Sequence, residues 1–340
     1  MKMRKKLTAA LLAAVMLFMA AGCTIGQNKQ TAATTTAAVK TAVNVAGLKG
    51  PTGIGLVKLM EDNAAGTAAN SYKFTLDAAP TDIIPLLTTG AADIAAMPLN
   101  LAATLYKKTN GAVQILAINT LGVLYILDQS NTIKTIADLK GKTIYTSGQG
   151  ASPEYILNFV LSRNGIVPQK DVTIVYETEH SELAALAAAG KTEICMLPEP
   201  FVTTVLSKNP KMRIALDMTK EWESACTKLG LQSTLAMGCL VVRTKFAKNN
   251  PDAVNRFLYE YKASVDYVNS NVAAASLLVA KDGIIPSAAL AAKAIPNCNI
   301  VFISGTEMKT IAYQNLHVLF QANPSSIGGA EPTNDFYYGA

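Results

Sequence analysis

The sequence has few of the residues that enzymes use as nucleophiles, bases or metal ligands. Among 340 residues it contains two histidines, His180 and His317, and five cysteines with no CxxC pair. It has no G-x-S-x-G or H-E-x-x-H motif, and no cysteine beside a base. These absences argue against a catalytic function, a metal cluster and a disulfide framework, although one disulfide stays open for an exported chain. We expect no cofactor.

The chain also lacks a strong excess of charge of one sign. Its formal net charge is +6, but four of the 30 basic residues lie within the first six positions. Without those four, 26 basic residues stand against 24 acidic ones. A balance this close to neutral gives no reason to expect nucleic-acid binding.

Residues 1–22 have the layout of a secretory signal. A basic start is followed by an apolar run from Leu7 to Met19 and by small residues that end at Gly22. The apolar run is shorter than the roughly 20 residues of a membrane-spanning helix. We therefore favour a cleaved signal over a transmembrane anchor.

A cysteine follows this signal directly, in the segment MAAGC, which resembles the bacterial lipobox. The resemblance implies that Cys23 is lipidated and anchors the protein to the cell membrane, facing outside the cytoplasm. The alternative is a secreted protein with an incidental cysteine. Residues 23–40 are polar and rich in Thr and Ala, which predicts a flexible tether. The folded part is expected to begin at Thr41.

From Thr41 onward, short strand-like apolar runs alternate with amphipathic helical runs, a pattern typical of mostly parallel α/β sheets. The alternation occurs twice, which predicts two α/β lobes. Strand-like runs at residues 122–129 and 237–243 bracket the second series, and the pattern of the rest of the chain is chiefly helical. We predict lobe I at 41–121 and 239–340, lobe II at 122–238, and a two-strand hinge between them.

The stretch GLKGPTGIGLVKLM first suggests a phosphate-binding loop. The Walker A pattern fails because Leu56 stands at the lysine position, and the Rossmann pattern fails because Lys58 stands at the third glycine. The stretch still predicts a helix start at Pro51, Thr52 and Gly53, with free backbone N–H groups facing a ligand. The alternative is that its glycines only allow a strand and a helix to pack closely.

The stretch YTSGQGASPEY repeats this arrangement in the predicted second lobe. Gly148, Gln149 and Gly150 follow a strand, and Ser152 is expected to cap a helix that begins at the next residue, a proline. Because ligands bind at the carboxyl ends of parallel strands, two such helix starts on facing lobes predict one shared cleft.

Two further strand ends, MPLN and LPEPF, are expected to open on the same cleft. Each supplies one polar side chain, Asn100 or Glu199, unless the prolines mark ordinary loops. His180 precedes a predicted helix; a capping role is favoured for it, and contact with the cleft stays open as the alternative. His317 is interpreted as a packed or surface residue of a helix.

Several segments together resemble a known family. IADLKGKTIYTSGQGASPEYILNFVLSRNGI, DVTIVY, ELAALAAAGKTEICMLPEPFVTTVL and NPDAVNRFLYEYKASVDYVNSN are similar to ABC-transporter substrate-binding proteins of the nitrate/sulfonate/taurine and thiamine-precursor type. The resemblance implies a monomer with the type II periplasmic-binding-protein fold. It also implies a small solute held between two lobes by hinge closure, and as partner an ABC permease with its ATPase.

The family's ligand positions fall on nine residues of this sequence: Pro51, Thr52, Gly53, Asn100, Gly148, Gln149, Gly150, Ser152 and Glu199. The solute itself is not implied, although Glu199 disfavours a simple anion. A ligand with an anionic or carbonyl end and a cationic or N–H-bearing end fits better. Two alternatives stay open: a ligand-sensing lipoprotein of the same fold that acts on a receptor, and a thiamine-pyrimidine synthase, whose cysteine-rich segment this chain lacks.

Overall fold

Two mixed β-sheets with helices packed on them make up the part of the chain that the computed structural model describes, residues 40–340. The predicted signal, Cys23 and the predicted tether up to residue 39 lie outside the described residues. Within the described part, no helix is both long and apolar enough to cross a membrane.

The strands are short, as expected for buried strands between helices. Their bounds are β1 Ala42–Leu48, β2 Ser71–Asp77, β3 Ile94–Pro98, β4 Val113–Leu121, β5 Leu124–Asp128, β6 Thr143–Ser147, β7 Thr173–Glu177, β8 Ile194–Pro198, β9 Arg213–Asp217, β10 Ala236–Arg243 and β11 Ile300–Ile303.

The α-helices vary from one turn to 20 residues. Their bounds are α1 Pro51–Ile54, α2 Val57–Ala64, α3 Pro80–Thr89, α4 Leu99–Lys108, α5 Ser152–Arg163, α6 His180–Ala188, α7 Phe201–Lys208, α8 Met218–Thr227, α9 Thr244–Asn249, α10 Pro251–Ser270, α11 Val272–Lys281, α12 Ala288–Ala294 and α13 Gly305–Ala322. Short 3-10 helices lie at Ile136–Leu139, Ile295–Asn297, Pro324–Ile327 and Asn334–Phe336.

The first sheet has the strand order β11-β4-β10-β3-β1-β2. Strand β1 is parallel to β2 and β3, whereas β10 is antiparallel to both β3 and β4. The carboxyl ends of β1 to β4 therefore meet at one edge of this sheet, and the start of β10 lies at the same edge. Strand β3 is almost wholly buried, as a strand covered on both faces requires.

The second sheet has the strand order β7-β6-β8-β5-β9. Strand β6 is parallel to β7 and β8, and β5 is antiparallel to β8 and β9. The carboxyl ends of β6 to β9 again share one edge. The chain passes from the first sheet to the second between β4 and β5, and returns through β10.

The structure corrects two details of the sequence-based prediction. The helix predicted to start at Pro51 is short, because α1 ends at Ile54 and a separate helix, α2, begins at Val57. The C-terminal part is not only helical, since β11 pairs with β4 at the edge of the first sheet. Strand β10 begins at Ala236, one residue before the strand-like run predicted at 237–243.

One hydrophobic cluster continues from one sheet's helices to the other's. It includes Leu105 and Tyr106 on α4 and Leu157 and Val160 on α5, all buried. Trp222 on α8 joins the same cluster and is fully buried, with its ring centroid 4.9 Å from that of Phe159. The predicted lobes thus share an apolar core in addition to the strand crossings.

Candidate functional site

A cavity lies where the carboxyl edges of the two sheets face each other. The empty space between its walls, open mouth included, is about 680 Å³. We call it the central cavity. The first sheet and its loops contribute Leu48, Lys49, Gly50, Pro51, Thr52, Ala78, Pro98, Thr120 and Met237, and the second sheet with its crossing contributes Val123, Gly148, Ala151, Ser152, Pro153, His180, Pro198 and Phe201.

The first glycine-rich loop reaches the central cavity through Pro51 and Thr52, but not through Gly53. A β-carbon on Gly53 would lie 2.2 Å from the carbonyl oxygen of Leu48. Gly53 therefore lets α1 pack against the end of β1. Close packing, the alternative reading of this glycine, explains its position.

The predicted free N–H groups of this loop are occupied in part. The amides of Gly53 and Ile54 both donate to the carbonyl oxygen of Gly50, each at 3.0 Å. Helix α1 is only four residues long, so its contribution to a dipole is small. The structure thus contradicts the expectation that backbone amides at Gly53 face a ligand.

The second glycine-rich loop contributes Gly148 and Ser152 to the central cavity, whereas Gln149 and Gly150 are exposed outside its walls. The amide of Gly150 donates to the carboxylate of Glu154 at 2.6 Å. Gly148 and Gly150 have φ angles of 78° and 75°, a conformation that glycine adopts at little cost. These glycines serve the turn before α5.

Ser152 is not the N-cap of α5, because Ala151 occupies that position and Ser152 is the first helical residue. Its hydroxyl instead donates to Oδ1 of Asn100 at 2.9 Å. Nδ2 of Asn100 donates to the carbonyl oxygen of Ser326 at 3.1 Å. Asn100 is fully buried and does not line the central cavity. Its two hydrogen bonds link α4 to α5 and to the C-terminal segment inside the protein.

Glu199 does not face the central cavity as predicted. Its side chain is 2 % exposed, and its two carboxylate oxygens accept hydrogen bonds from the amide and hydroxyl of Thr203, both at 3.0 Å. The carboxylate thereby caps the start of α7. Burial raises the pKa of Glu199 above its ordinary value, and the two bonds from Thr203 oppose that rise.

His180 lines the central cavity, which was the alternative to the capping role favoured by its sequence position. Its Nδ1 lies 2.5 Å from the hydroxyl oxygen of Ser147, and its ring packs 5.6 Å from that of Phe201. Burial lowers the pKa of His180 to about 4, with Glu179 acting weakly in the opposite direction. The imidazole is therefore neutral at pH 7.

The other candidate reactive groups lie elsewhere. His317 contacts Glu331 through Nδ1 at 2.6 Å and does not line the central cavity. Within residues 40–340, all four cysteines are buried and free, so the disulfide left open by the sequence does not form among them. The same residues contain no group of three or more His, Cys, Asp or Glu side chains placed to hold a metal ion.

Comparison with known proteins places this geometry in context. The family model described as "NMT1/THI5 like" matches residues 73–275. No curated protein sequence matches the chain.

Solved structures share the fold. An ABC transporter protein from Parabacteroides distasonis is 23 % identical with a TM-score of 0.71, covering 88 % of this chain and 99 % of that one. The alkanesulfonate-binding protein SsuA from Xanthomonas axonopodis pv. citri, bound to MOPS, is 16 % identical with a TM-score of 0.66, covering 86 % and 96 %. The periplasmic nitrate-binding protein NrtA from Synechocystis PCC 6803 is 12 % identical with a TM-score of 0.61, covering 85 % and 84 %. These likenesses confirm the two-lobed α/β fold of periplasmic binding proteins.

Proposed function

The chain belongs to the NMT1/THI5-like family, and from this premise we propose that it is the solute-binding component of an ABC importer. It captures a small molecule between its two lobes and delivers it to a permease with its ATPase. The observation that carries this proposal is the central cavity, whose walls come from both sheets. A molecule that contacts both walls stabilises the arrangement in which the lobes are close.

The residues that line the central cavity favour one chemical class of solute. Among the described residues that line the central cavity, most are apolar, none is Asp or Glu, and Lys49 at the exposed rim is the single cation. Because Glu199 is turned into the protein, the cavity has no partner for a cationic group. We propose an uncharged or anionic organic solute with an apolar body, bound by hydroxyls and by the neutral imidazole of His180. Alkanesulfonate, named for one of the solved relatives, falls within the anionic half of this proposal, whereas nitrate, named for another, has no apolar body and falls outside it.

We further propose that binding involves no covalent chemistry. Burial raises the pKa of Cys195 to about 12 and that of Cys226 to about 11, so neither thiol forms a nucleophilic thiolate at neutral pH. Ser147, whose hydroxyl bonds to Nδ1 of His180, is 1 % exposed and does not line the central cavity, so it is not placed to attack a solute. These features support a binding protein rather than an enzyme.

A thermal-shift screen of the folded part tests the proposal. The screen includes sulfonates, nitrate, bicarbonate, carboxylates, carboxamides, thiamine precursors, riboflavin and amino acids. A solute at 100 times its dissociation constant adds about 2.7 kcal/mol to the free energy of unfolding, which is readily detected. A screen in which no small molecule binds would count against a solute-binding function.

Membrane attachment is a separate part of the proposal. We propose that the chain is a lipoprotein anchored through Cys23 on the extracytoplasmic side. Mass spectrometry of the protein from a bacterial membrane fraction should show a diacylglyceryl group on that residue, and Cys23→Ala should release the protein from the membrane fraction. Recovery of an unmodified Cys23 from the wild-type membrane fraction would contradict lipid anchoring.

A further inference from the structure

We infer that two buried hydrogen bonds fix the polarity of two side chains in the central cavity, so that the hydroxyl of Ser152 offers it only acceptor lone pairs and the imidazole of His180 offers it an N–H donor. The structure thereby assigns the solute to one class: an uncharged molecule with an apolar body, at least one N–H or O–H donor and a carbonyl-type acceptor. This inference rests on the proposed function and narrows it, because oxyanions carry acceptors alone.

The first step concerns Ser152. A serine hydroxyl has one hydrogen and two lone pairs, and here the hydrogen is donated to Oδ1 of Asn100. The amide of Asn100 cannot be reversed, since its Nδ2 is needed as the donor to the carbonyl of Ser326. Asn100 is fully buried, and Ser152 and Ser326 are each at most 2 % exposed. The Ser152 hydroxyl therefore turns only lone pairs toward a solute.

The second step concerns His180. The Ser147 hydroxyl is 1 % exposed, and within residues 40–340 its one hydrogen-bond partner is Nδ1 of His180. The hydroxyl hydrogen must be donated to Nδ1, because otherwise it would be buried without an acceptor. In a neutral imidazole the proton then resides on Nε2. Since Nδ1 is occupied, Nε2 is the polar atom that His180 has left for the cavity that it lines.

Thr120 gives no comparable constraint. Its hydroxyl lies 3.2 Å from Oδ1 of the fully buried Asn119, and Thr120 lines the central cavity. Nδ2 of Asn119, however, has no hydrogen-bond partner among residues 40–340, so no second bond fixes which end of that amide faces Thr120. The inference therefore rests on Ser152 and His180.

The balance of effects favours the uncharged solute. To donate to an oxyanion, Ser152 would have to release Asn100 and leave a buried acceptor unpaired, which weakens binding roughly tenfold or more. Lys49 attracts an anion from an exposed position, and exposed charge pairs change affinity only a few-fold. For an anion placed against the Ser152 hydroxyl, this cost exceeds the gain at Lys49.

Matched probes test this inference by titration calorimetry. Benzamide, nicotinamide and cyclohexanecarboxamide carry a donor and an acceptor, and benzoate, nicotinate, cyclohexanecarboxylate and benzenesulfonate are their acceptor-only counterparts. We expect the wild-type protein to bind carboxamides about tenfold or more tightly than their counterparts. Tighter binding of the anions, or no binding of any carboxamide, would overturn the inference.

Variants separate polarity from packing. Ser152→Ala should weaken carboxamide binding about tenfold and leave the anions unchanged or improved, so that the preference is lost. Ser152→Thr keeps a hydroxyl and should keep the preference. Val123→Ala, in the same cavity wall, should weaken both series equally. A preference for carboxamides that survives in Ser152→Ala would overturn the inference. If that variant does not fold, the ratio of carboxamide to anion affinity in the wild-type protein decides whether the inference holds.

The two proposals fail in different ways. If the wild-type protein binds an oxyanion from the broad screen more tightly than any carboxamide, the polarity inference falls and the solute-binding function stands. If neither the matched probes nor the broad screen gives a ligand, the solute-binding function falls with it.

Discussion

The two glycine-rich loops have similar sequences, but their glycines are needed for different reasons. At Gly53 there is no room for a side chain, because the carbonyl oxygen of Leu48 occupies the place of a β-carbon. At Gly150 nothing lies within 4 Å of that place, but the φ angle of +75° disfavours other residues. One loop uses glycine for close packing and the other for backbone conformation, so glycine at a helix start does not by itself mark a ligand contact.

The loops are alike in how they use their backbone amides. Gly53 and Ile54 donate to the carbonyl of Gly50, and Gly150 donates to the carboxylate of Glu154. These N–H groups are satisfied within the protein. Recognition of a solute then depends on the side chains that flank the glycines, such as Thr52 in the first loop and Ser152 in the second.

The largest expected difference between the loops is in pH dependence. In the unfolded chain His180 has its ordinary pKa of 6.5, and in the folded protein burial beside the second loop lowers it to about 4. Between these two pH values the unfolded state therefore binds more protons than the folded state. The contribution of the neutral His180 to the free energy of unfolding is fully present above pH 6.5 and is lost as the pH falls toward 4. The loss is about 3 kcal/mol.

Urea unfolding of the wild-type protein and of His180→Gln, at a series of pH values from 4 to 8, measures this contribution. The variant should lose most of the pH dependence in that range. The first loop has Lys49 as its one ionisable side chain, and that residue is exposed, so Lys49→Met serves as the control and should keep the wild-type profile. An unchanged profile in His180→Gln would contradict the account.

Alanine at the two glycines should separate packing from conformation. Gly53→Ala should lower the free energy of unfolding by about 3 kcal/mol because its β-carbon overlaps a backbone oxygen. Gly150→Ala should lower it by about 1 kcal/mol because alanine tolerates a positive φ poorly. Urea unfolding at pH 7 measures both values. Equal losses, or a larger loss at Gly150, would show that the two glycines do not differ as described.

The smallest expected effect concerns the cap of α7. Glu199→Ala should cost about 1 kcal/mol, the usual loss for a helix cap. Because burial raises the pKa of Glu199, its contribution is greatest at low pH and falls as the pH rises through the raised pKa. Glu199→Gln keeps an acceptor for Thr203 without charge, and it should be at least as stable as the wild-type protein at pH 7.

Ligand affinity tests separately whether Glu199 contacts the solute. Because Glu199 lies outside the central cavity, Glu199→Gln should bind a solute as the wild-type protein does. If Glu199→Gln is stable but no longer binds the solute, Glu199 lies in the cavity wall, as its sequence position predicts.

Much of the fold follows from local patterns in the sequence. Buried runs such as IAAMP in β3 and ICMLP in β8 alternate with helices and mark the strands of both sheets. Strand β11 was missed because it has four residues, mostly half-buried, between helical segments. The break between α1 and α2 was missed because an apolar helical pattern continues across it.

The sequence predicts where the cavity lies better than it predicts which side chains line it. The rule that strand ends line the cleft, applied to Asn100 and Glu199, also applies to the end of β7, and there it would have indicated His180. The partners of Asn100 were beyond local patterns, because Ser152 and Ser326 lie 52 and 226 residues away in the sequence. Those contacts depend on how the lobes pack.

Blocking the central cavity tests the central claim most directly. Ala78 is exposed and lines the cavity, and Ala65 is exposed outside it, so Ala78→Trp and Ala65→Trp make the same change inside and outside the site. Calorimetric titration with the tightest ligand from the screen should show binding lost in Ala78→Trp and kept in Ala65→Trp. Wild-type affinity in Ala78→Trp would contradict capture of the solute in this cavity.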